Sequence, residues 1–415
     1  MTTQDPDPAV TPSVDGAIGA EGAAPTPSPQ RLGRGAGSMA AGTAVSRVLG
    51  MVRGSVLAAA IGLVAQTADA FNVANWLPNT LYMLIAGGLL NAVLVPQVVR
   101  AYRLGRGQAY VDRLLTLSIA LLAGATVLLT AAAPLIIRIA ASSQAGNPAF
   151  IPLATAFAFW CIPQVFFYGL YTLLGQILNA RGSFGPYMWA PVVNNLVSIA
   201  GFGIFIAVFG RFTRDGPLAD PAAWGAGPIA LLGGVATLGI IAQALVLIVP
   251  LHRSGFRYRP RWDFRGAGLG TAGRVAGWTF GALLVGQLGI LAVSRVGSAA
   301  GQVLVDGEHV AGYTAYTYAF VIFMLPHSLV TVSLLTSMFT RLSGHAAVGD
   351  ERGMRSDASL GLRMIGLFTI FATAVLAVLA MPIVRTIYPT SLPAEASALA
   401  PIIVAMALGL SALGA

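Results

Sequence analysis

Charged residues are scarce in this chain: Asp, Glu, Lys and Arg together make up 9% of its 415 residues. A soluble globular domain carries about 25% charged residues, which cover the surface that it exposes to water. The hydrophobic fraction of 56% and the mean hydropathy of +0.77 agree with that scarcity. The composition therefore excludes an ordinary soluble domain and predicts a membrane protein.

Lysine is missing altogether, so all 24 basic residues are arginines, and cysteine occurs only once, at Cys161. A single cysteine cannot form an intrachain disulfide, so the sequence predicts no oxidative cross-link. The formal net charge of +9 would suit nucleic acid. However, the arginines are dispersed between apolar runs, which is the pattern of membrane topology signals. We therefore expect no nucleic acid among the partners.

Motifs of enzymes are also missing. The sequence has no Gly-rich phosphate-binding loop of the kind that nucleotide hydrolases use. Its four histidines are scattered, with no spacing typical of metal ligands. We predict a transporter rather than an enzyme, with no metal and no cofactor.

Apolar runs long enough to cross a bilayer, roughly 17–25 residues each, recur along the chain. They predict an all-α polytopic membrane protein with ten spans, near 39–63, 70–99, 113–140, 150–178, 187–209, 226–250, 272–298, 310–340, 360–382 and 396–415. The tenth run ends at Ala415 without a polar flank, so we expect the C-terminal end to be incomplete.

The first 37 residues differ from the rest, since they are rich in Pro, Ala, Gly and Ser and lack aromatic side chains. Such a segment cannot bury enough surface to offset its chain entropy. We predict a disordered cytoplasmic tail over 1–37, an N-terminal lobe of six helices over 38–252, a cytoplasmic linker over 253–269 and a C-terminal lobe of four helices over 270–415.

A short internal similarity suggests how the lobes are related. Leu77-Pro78-Asn79-Thr80-Leu81 lies in the second span and Leu325-Pro326-His327-Ser328-Leu329 in the eighth, six spans later. Transporters are often built from repeats with broken helices in corresponding spans. This favours a two-lobe bundle with a six-span pseudo-repeat, although chance similarity between Leu-rich segments is an open alternative.

Two charges lie inside the first span, at Arg47 and Arg53. Each arginine near the centre of a span costs roughly 2.5–3.5 kcal/mol on the membrane-insertion scale. Lipid exposure of both is therefore unfavourable, and an intramembrane cation favours a water-lined cavity. The alternative is a structural role, in which both side chains pair with helix-end carbonyls or with acids.

A polar stripe follows in the second span. Asp69, Asn72, Asn75 and Asn79 are spaced by three, three and four residues, which places them on one helix face. We expect this face to form a polar wall beside Arg47 and Arg53. Contacts between helices would explain the asparagines equally well, and Asp69 could cap a helix at the outer surface. Asn194 and Asn195, in the fifth span, we interpret as structural.

The ordered set of short motifs resembles the MurJ/MviN family of lipid II flippases, within the multidrug/oligosaccharidyl-lipid/polysaccharide exporter superfamily. The resemblance rests on SRVLGMVR at 46–53, Asp69-Ala70-Phe71, Leu77-Pro78-Asn79, Val95-Pro96 and GQILNARGSFGPYMWAPVVNN at 175–195. The resemblance extends over nearly the whole chain after residue 38. Differences from the family pattern, described below, suggest an actinobacterial variant of the family.

The resemblance implies a V-shaped pair of six-span lobes in the bacterial cytoplasmic membrane. The implied substrate is undecaprenyl-pyrophosphate carrying a disaccharide-pentapeptide, which alternating access of a cationic cavity moves from the inner to the outer leaflet. Arg47 and Arg53 match central-cavity arginines and Asp69 their acidic partner; we add Asn75 and Asn79 to the substrate-binding set. Membrane lipids and the cell-wall synthesis machinery are the other implied partners.

The cationic site is thinner than in many relatives. Basic residues that often follow Pro-Asn in the second span are replaced here by Tyr82 and Met83, and Phe320 to Ile322 stand where an arginine often lies in the eighth. Another lipid-linked oligosaccharide therefore stays open as the substrate. A drug antiporter and a non-transporting membrane scaffold are further alternatives. The antiporter is disfavoured because it predicts buried acids in the C-terminal lobe, whereas spans seven to ten contain none and Glu395 lies at a span edge.

The orientation of the chain follows from its arginines. Fifteen lie in one alternating set of connections between spans and four in the other, which places the N-terminus in the cytoplasm by the positive-inside rule.

We expect tags inserted at Arg106, Arg259 and Arg352 to be cytoplasmic, and tags near Gln144, Asp215 and Gly307 to lie outside, because arginine-rich connections are retained inside. Cysteine-accessibility labelling of intact cells measures this. An externally labelled position at Arg259 would overturn the whole layout.

Overall fold

The structure is a computed structural model, and it describes residues 29–85, 108–141, 147–181, 183–263, 269–301, 303–305, 308–309, 311–347 and 349–414. These ranges form an α-helical bundle. Its helices are α1 (Pro29–Ile61), α2 (Gln66–Ile85), α3 (Gln108–Ala131), α4 (Ala133–Ala140), α5 (Phe150–Cys161), α6 (Gln164–Ala180), α7 (Gly185–Phe209), α8 (Ala226–Leu245), α9 (Ile248–Arg253), α10 (Leu269–Ala300), α11 (Tyr313–Pro326), α12 (Val332–Ala347), α13 (Glu351–Ile387), α14 (Pro393–Ala407) and α15 (Leu410–Gly414).

Three smaller elements complete the described chain. A 3₁₀ turn, Pro221–Ala223, precedes α8, and a π-helical turn, His327–Thr331, joins α11 to α12. A two-residue antiparallel ribbon pairs β1 (Leu304–Val305) with β2 (Glu308–His309) between α10 and α11. The predicted all-α class is confirmed.

The predicted spans correspond to these helices. Six described segments are long and apolar enough to cross a membrane: Ala41–Ile61, Gln108–Ala131, Phe150–Ala180, Gly185–Phe209, Ala226–Arg253 and Glu351–Ile387. The predicted third, fourth and sixth spans each consist of two consecutive helices. The second span is described only as far as Ile85, and the predicted continuation to residue 99 lies outside the described residues.

The boundary of the N-terminal tail differs from the prediction. Helix α1 begins at Pro29, whereas the predicted tail extends to residue 37. A helix satisfies its backbone hydrogen bonds internally, so it can continue beyond the apolar run that makes it a span. Residues 1–28 lie outside the described residues, and the remainder of the tail stays a prediction.

The surface is apolar where helices face outwards. Leu367 and Val378 on α13 are 76% and 78% exposed, and Val127 on α3 is 70% exposed. Large aliphatic side chains in such number on an outer face indicate contact with lipid, because they would otherwise form an extensive water-exposed apolar patch. The protein is therefore a multi-pass membrane protein.

The helices pack into two groups that repeat one arrangement. In the N-terminal group α2 packs against α5, so the second and fourth spans are in contact. In the C-terminal group α11 packs against α14, the corresponding eighth and tenth spans. Pro78 lies inside α2, and Pro326 ends α11 just before the π-helical turn. Both prolines therefore lie in corresponding spans, as the pseudo-repeat predicts, although α2 continues through Pro78 as far as Ile85.

The two groups meet along α1 and α2. Ala58 at the end of α1 and Leu63 in the following connection are buried in a core cluster whose other members come from α11, α13 and α14 and the segments that follow them. Gly62 ends α1 with a φ of 81°, a left-handed conformation that glycine adopts without steric cost. The tight turn lets α2 start four residues later against the C-terminal group.

Candidate functional site

A cavity of about 550 Å³ lies between the two helix groups. This volume has room for roughly eighteen water molecules at ~30 Å³ each. Helices α1, α2, α6, α7, α8 and α11 all contribute to its wall. Six of the lining side chains are carboxamides: Asn72, Asn75, Asn79, Gln164, Asn194 and Asn195. Intramembrane polar groups in this number mark a hydrated cavity rather than a lipid contact.

Arg53 is the cationic side chain of the lining. It lies near the middle of the span Ala41–Ile61 and is half-buried. The titratable groups that act on its guanidinium are the phenols of Tyr168 and Tyr318, which also line the cavity. No carboxylate among the described residues forms an ion pair with it. The cavity therefore presents a positive charge that the described part of the protein leaves uncompensated.

A hydrogen-bond network fixes one part of the carboxamide lining. The Gln164 side chain donates from Nε2 to Asn75 Oδ1 at 3.2 Å and to Thr237 Oγ1 at 3.1 Å. The Thr237 hydroxyl in turn donates to the carbonyl of Trp160 at 2.6 Å. Since these residues lie on α2, α5, α6 and α8, the network holds four helices of the N-terminal group in register.

The facing helix is tied to α1 in a similar way. Asn195 on α7 donates from Nδ2 to the carbonyl oxygen of Ser46 at 2.8 Å. Ser198 Oγ and Asn194 Oδ1 are 3.3 Å apart one turn further on. These two asparagines are therefore structural, as the sequence suggested, and they also line the cavity beside Arg53.

Asp69 joins the two helix groups rather than lining the cavity. Its Oδ1 accepts a hydrogen bond of 2.7 Å from the backbone N–H of Thr314, in the first turn of α11. That N–H is one of the helix-end donors without an intrahelical partner, and the helix dipole favours an anion there. Gly312 has no Cβ, which would otherwise collide with Asp69 Oδ2. Asp69 thus caps a helix of the opposite group.

Glu395 makes the reverse connection. It lies in the first turn of α14 and is 4% exposed. Its Oε1 accepts from the backbone N–H of Leu63 at 2.8 Å, and its Oε2 accepts from the N–H of Leu392 at 3.0 Å. One carboxylate from each group therefore binds a backbone N–H of the other, and both bonds lie at the interface next to the end of α1.

The structure places the predicted site residues in different surroundings. Arg53, Asn75 and Asn79 line the same cavity, as does Asn72 from the same stripe. Arg47 is half-buried and stands next to the lining residue Ser46, but it is outside the lining set. Asp69 lies at the interface just described, the capping position that the sequence left open as an alternative. A substrate-binding role for all five predicted residues stays a prediction.

Sequence reasoning missed several lining residues. Gln164, Tyr168 and Tyr318 were not proposed, although each has a polar group in or beside the cavity. Gln164 interrupts an apolar run just after Pro163, and an isolated polar residue in a span is a usable signal. The tyrosines carry no such signal, because aromatic residues are common in apolar helices.

A helical membrane bundle with two related groups and a polar, cationic cavity between them defines the class of multi-pass membrane transporters. The sequence model of the family "Lipid II flippase MurJ" matches residues 57–414. The chain belongs to this family, and it is a multi-pass protein of the bacterial cytoplasmic membrane.

Individual relatives agree with this assignment. The probable lipid II flippase MurJ of Synechocystis sp. is 26% identical over 384 residues, covering 90% of this chain and 68% of the relative. That of Rhizobium meliloti is 26% identical over 354 residues, covering 83% of this chain and 61% of the relative. The chain thus spans roughly two thirds of the length of these relatives.

A solved structure of the lipid II flippase MurJ in its inward closed conformation has the same fold. It matches with a TM-score of 0.67 at 20% identity, covering 91% of this chain and 73% of that chain. At this identity the match concerns the fold alone. The predicted two-lobe architecture is confirmed.

Whether Asp69 and Glu395 keep the cavity inaccessible from outside can be tested by cysteine labelling. In a Cys161→Ala background, which removes the single native cysteine, a cysteine at Thr317 would face the cavity just inside the closure. We expect a membrane-impermeant maleimide added outside to leave it unlabelled. Combining Asp69→Ala with Glu395→Ala should permit labelling, because the two carboxylate bonds across the interface are then lost and the bond from Asn72 Nδ2 to Thr314 Oγ1 is left without its charged neighbour.

Asp215→Ala is the matched control, since it removes an exposed acid on the same predicted side without touching the interface. Equal labelling before and after the double substitution would show that the carboxylates do not hold the cavity closed.

Proposed function

We propose that this chain flips lipid II, the undecaprenyl-pyrophosphate-linked disaccharide-pentapeptide, from the inner to the outer leaflet of the cytoplasmic membrane. The observation that carries the proposal is Arg53, an intramembrane cation that lines a polar cavity and has no carboxylate partner among the described residues. A diphosphate is an anion whose oxygens fit the guanidinium geometry, and the low dielectric of the span strengthens the attraction.

The carboxamides suit the rest of such a head group. Sugars and peptides present hydroxyl, N–H and C=O groups, and a carboxamide can both donate and accept hydrogen bonds. Asn79 is exposed, and no hydrogen bond from its side chain appears in the described part of the chain. We propose that Asn75 and Asn79 contact the head group while Gln164 holds Asn75 in position.

Arg47 and Asp69 receive indirect roles. Arg47 lies six residues before Arg53 on α1, towards the predicted cytoplasmic side, so we propose that it guides the anion to the cavity. We propose that Asp69 acts on the substrate through the closure that it forms with α11. The outer end would then open only when its bonds are broken.

Alternating access follows from the energies involved. A hydrogen bond to a charged group contributes roughly 1.5–3 kcal/mol. Two such connections, at Thr314 and Leu63, are strong enough to hold a closed state and weak enough for substrate binding to shift the equilibrium. With the N-terminus in the cytoplasm, the closed end faces outwards and the substrate enters from the inner leaflet. The enzymes that make and use this lipid would be the protein's partners in cell-wall synthesis.

A second candidate is the export of another lipid-linked oligosaccharide. The resemblance implies basic residues where this chain has Tyr82 and Met83 in the second span and an arginine where it has Phe320 to Ile322 in the eighth, and among the described lining residues Arg53 alone supplies a cation. A drug antiporter is less well supported, because it would need an unoccupied acid in the C-terminal group. Glu395 is the buried acid described there, and both its oxygens already accept backbone N–H bonds.

The Arg53→Ala variant should fail to complement a strain depleted of its lipid II flippase, while its abundance in the membrane stays near normal. Removing an unpaired intramembrane cation relieves an insertion cost of roughly 2.5–3.5 kcal/mol, so folding should not suffer. Complementation and immunoblotting of membrane fractions measure the two quantities. Arg53→Lys keeps the charge without the planar fork, so partial activity would indicate an electrostatic site.

Arg295→Ala is the control for losing an arginine from a span. Arg295 is exposed and donates to the carbonyl of Ile139 at 3.0 Å, away from the cavity. Full complementation by Arg53→Ala would show that Arg53 does not bind an essential anion. Degradation of that variant would instead assign Arg53 a structural role.

A further inference from the structure

A second cationic cavity lies at the end of the bundle, on the predicted cytoplasmic side. It has a volume of about 380 Å³ and is formed between the first turn of α3 and the segment that follows α9. Three arginines at alternate positions of that segment line it, together with Gln108, Ala109, Asp112 and Gly255; the arginines are Arg257, Arg259 and Arg261.

The segment that carries these arginines is held in place from the other side. Phe256 is 1% exposed and packs in a core cluster with leucines of α3 and α6. Tyr258 and Thr116 on α3 have their hydroxyl oxygens 2.8 Å apart, and Thr116 Oγ1 accepts from the backbone N–H of Arg261 at 3.0 Å. A connection that served topology alone would need the charges but no fixed position for them.

A further ion pair fastens the end of the segment. Arg113 on α3 binds Asp263, and these hydrogen bonds hold the pKa of Asp263 below its ordinary value. The carboxylate therefore stays ionised at physiological pH, and the pair is lost only as the pH falls through that lowered pKa. Asp263 is not among the residues that line the cavity, so its negative charge serves the ion pair with Arg113.

The cavity is positive on balance. Its single carboxylate, Asp112, is 2% exposed and accepts from Gln108 Nε2 at 3.1 Å. Neither Arg257 nor Arg259 forms an ion pair within the described ranges. All three arginines are exposed, and arginines that line one space can bind phosphate oxygens, because each guanidinium offers a planar fork of donors.

The position of the cavity at the membrane surface indicates that the phosphate belongs to a lipid. The apolar segments Gln108–Ala131 and Ala226–Arg253 both have an end beside this cavity. Trp262, in the same segment, is 69% exposed, and tryptophan is enriched at the level of lipid head groups. Arginines just outside a span attract the anionic lipids of the cytoplasmic leaflet.

We propose that this cavity binds the phosphodiester head group of an anionic phospholipid such as phosphatidylglycerol. Arg257, Arg259 and Arg261 hold the phosphate oxygens, and hydroxyl groups of the head group donate to the Asp112 carboxylate. The site is separate from the central cavity and from the proposed lipid II transport, and its occupation can be measured without any transport assay.

The test uses the full chain reconstituted in phosphatidylcholine bilayers that contain spin-labelled phosphatidylglycerol or spin-labelled phosphatidylcholine. Electron paramagnetic resonance gives the fraction of each labelled lipid that the protein immobilises. We expect the preference for phosphatidylglycerol to be lost in the triple variant Arg257→Ala, Arg259→Ala, Arg261→Ala, since each arginine near the surface contributes about fivefold to the attraction for an anionic lipid.

The matched control is the triple variant Arg352→Ala, Arg355→Ala, Arg363→Ala, which removes the same charge from exposed positions of α13 on the same predicted side. It should keep the preference. Equal losses of the preference in the two triple variants would show that it comes from diffuse surface charge. An unchanged preference in both variants would exclude the site. Displacement of the labelled phosphatidylglycerol by millimolar inorganic phosphate would assign the cavity to the free anion and overturn the lipid proposal.

Discussion

An arginine in the middle of a membrane span, without a carboxylate partner in the described part of the chain, is the constraint on which the central site depends. A charge at that depth is tolerated only where water or polar groups surround it. The polar wall follows from this: carboxamides from α2, α6 and α7 and the phenols of Tyr168 and Tyr318 surround the space that Arg53 enters. Because no carboxylate of the described residues pairs with the guanidinium, an anionic ligand is the partner that we propose for it.

Some side chains of this polar wall also hold the helices of the N-terminal group together. The hydrogen bonds of Gln164 and Asn195 join helices that surround the cavity, so replacing either of these two side chains would also loosen the bundle. The lobe interface is built differently. There, Asp69 and Glu395 each bind a backbone N–H across the interface, and Asn72 Nδ2 donates to Thr314 Oγ1 beside Asp69. These bonds must break for the lobes to separate. Rigid groups joined by a small, reversible closure are what alternating access requires.

Much of this architecture could be predicted from the sequence. Apolar runs gave the spans, since the bilayer imposes a length and a composition that local sequence must satisfy. The stripe of Asn72, Asn75 and Asn79 was correctly placed on one face, because helical periodicity alone determines it. The prolines of spans two and eight were found in corresponding helices.

Contacts between distant residues could not be predicted in this way. Asp69 is 245 residues from Thr314, and Glu395 is 332 residues from Leu63. Local patterns contain no information on which helix end meets which carboxylate. For the same reason both Arg47 and Arg53 were predicted to line the cavity, although of the two only Arg53 does so. The extra turns of α1 before residue 38 were missed because hydropathy marks the membrane portion of a helix and not its full length.

The central claim is that Arg53 binds the diphosphate of a lipid-linked substrate, and affinity for defined lipids measures it most directly. The purified chain is titrated with undecaprenyl diphosphate and with undecaprenol, which share the lipid tail and differ in the anion. The account predicts at least tenfold tighter binding of the diphosphate, and loss of that preference in Arg53→Gln with the affinity for undecaprenol unchanged. An Arg53→Gln variant that binds the diphosphate as tightly as the parent chain would contradict it.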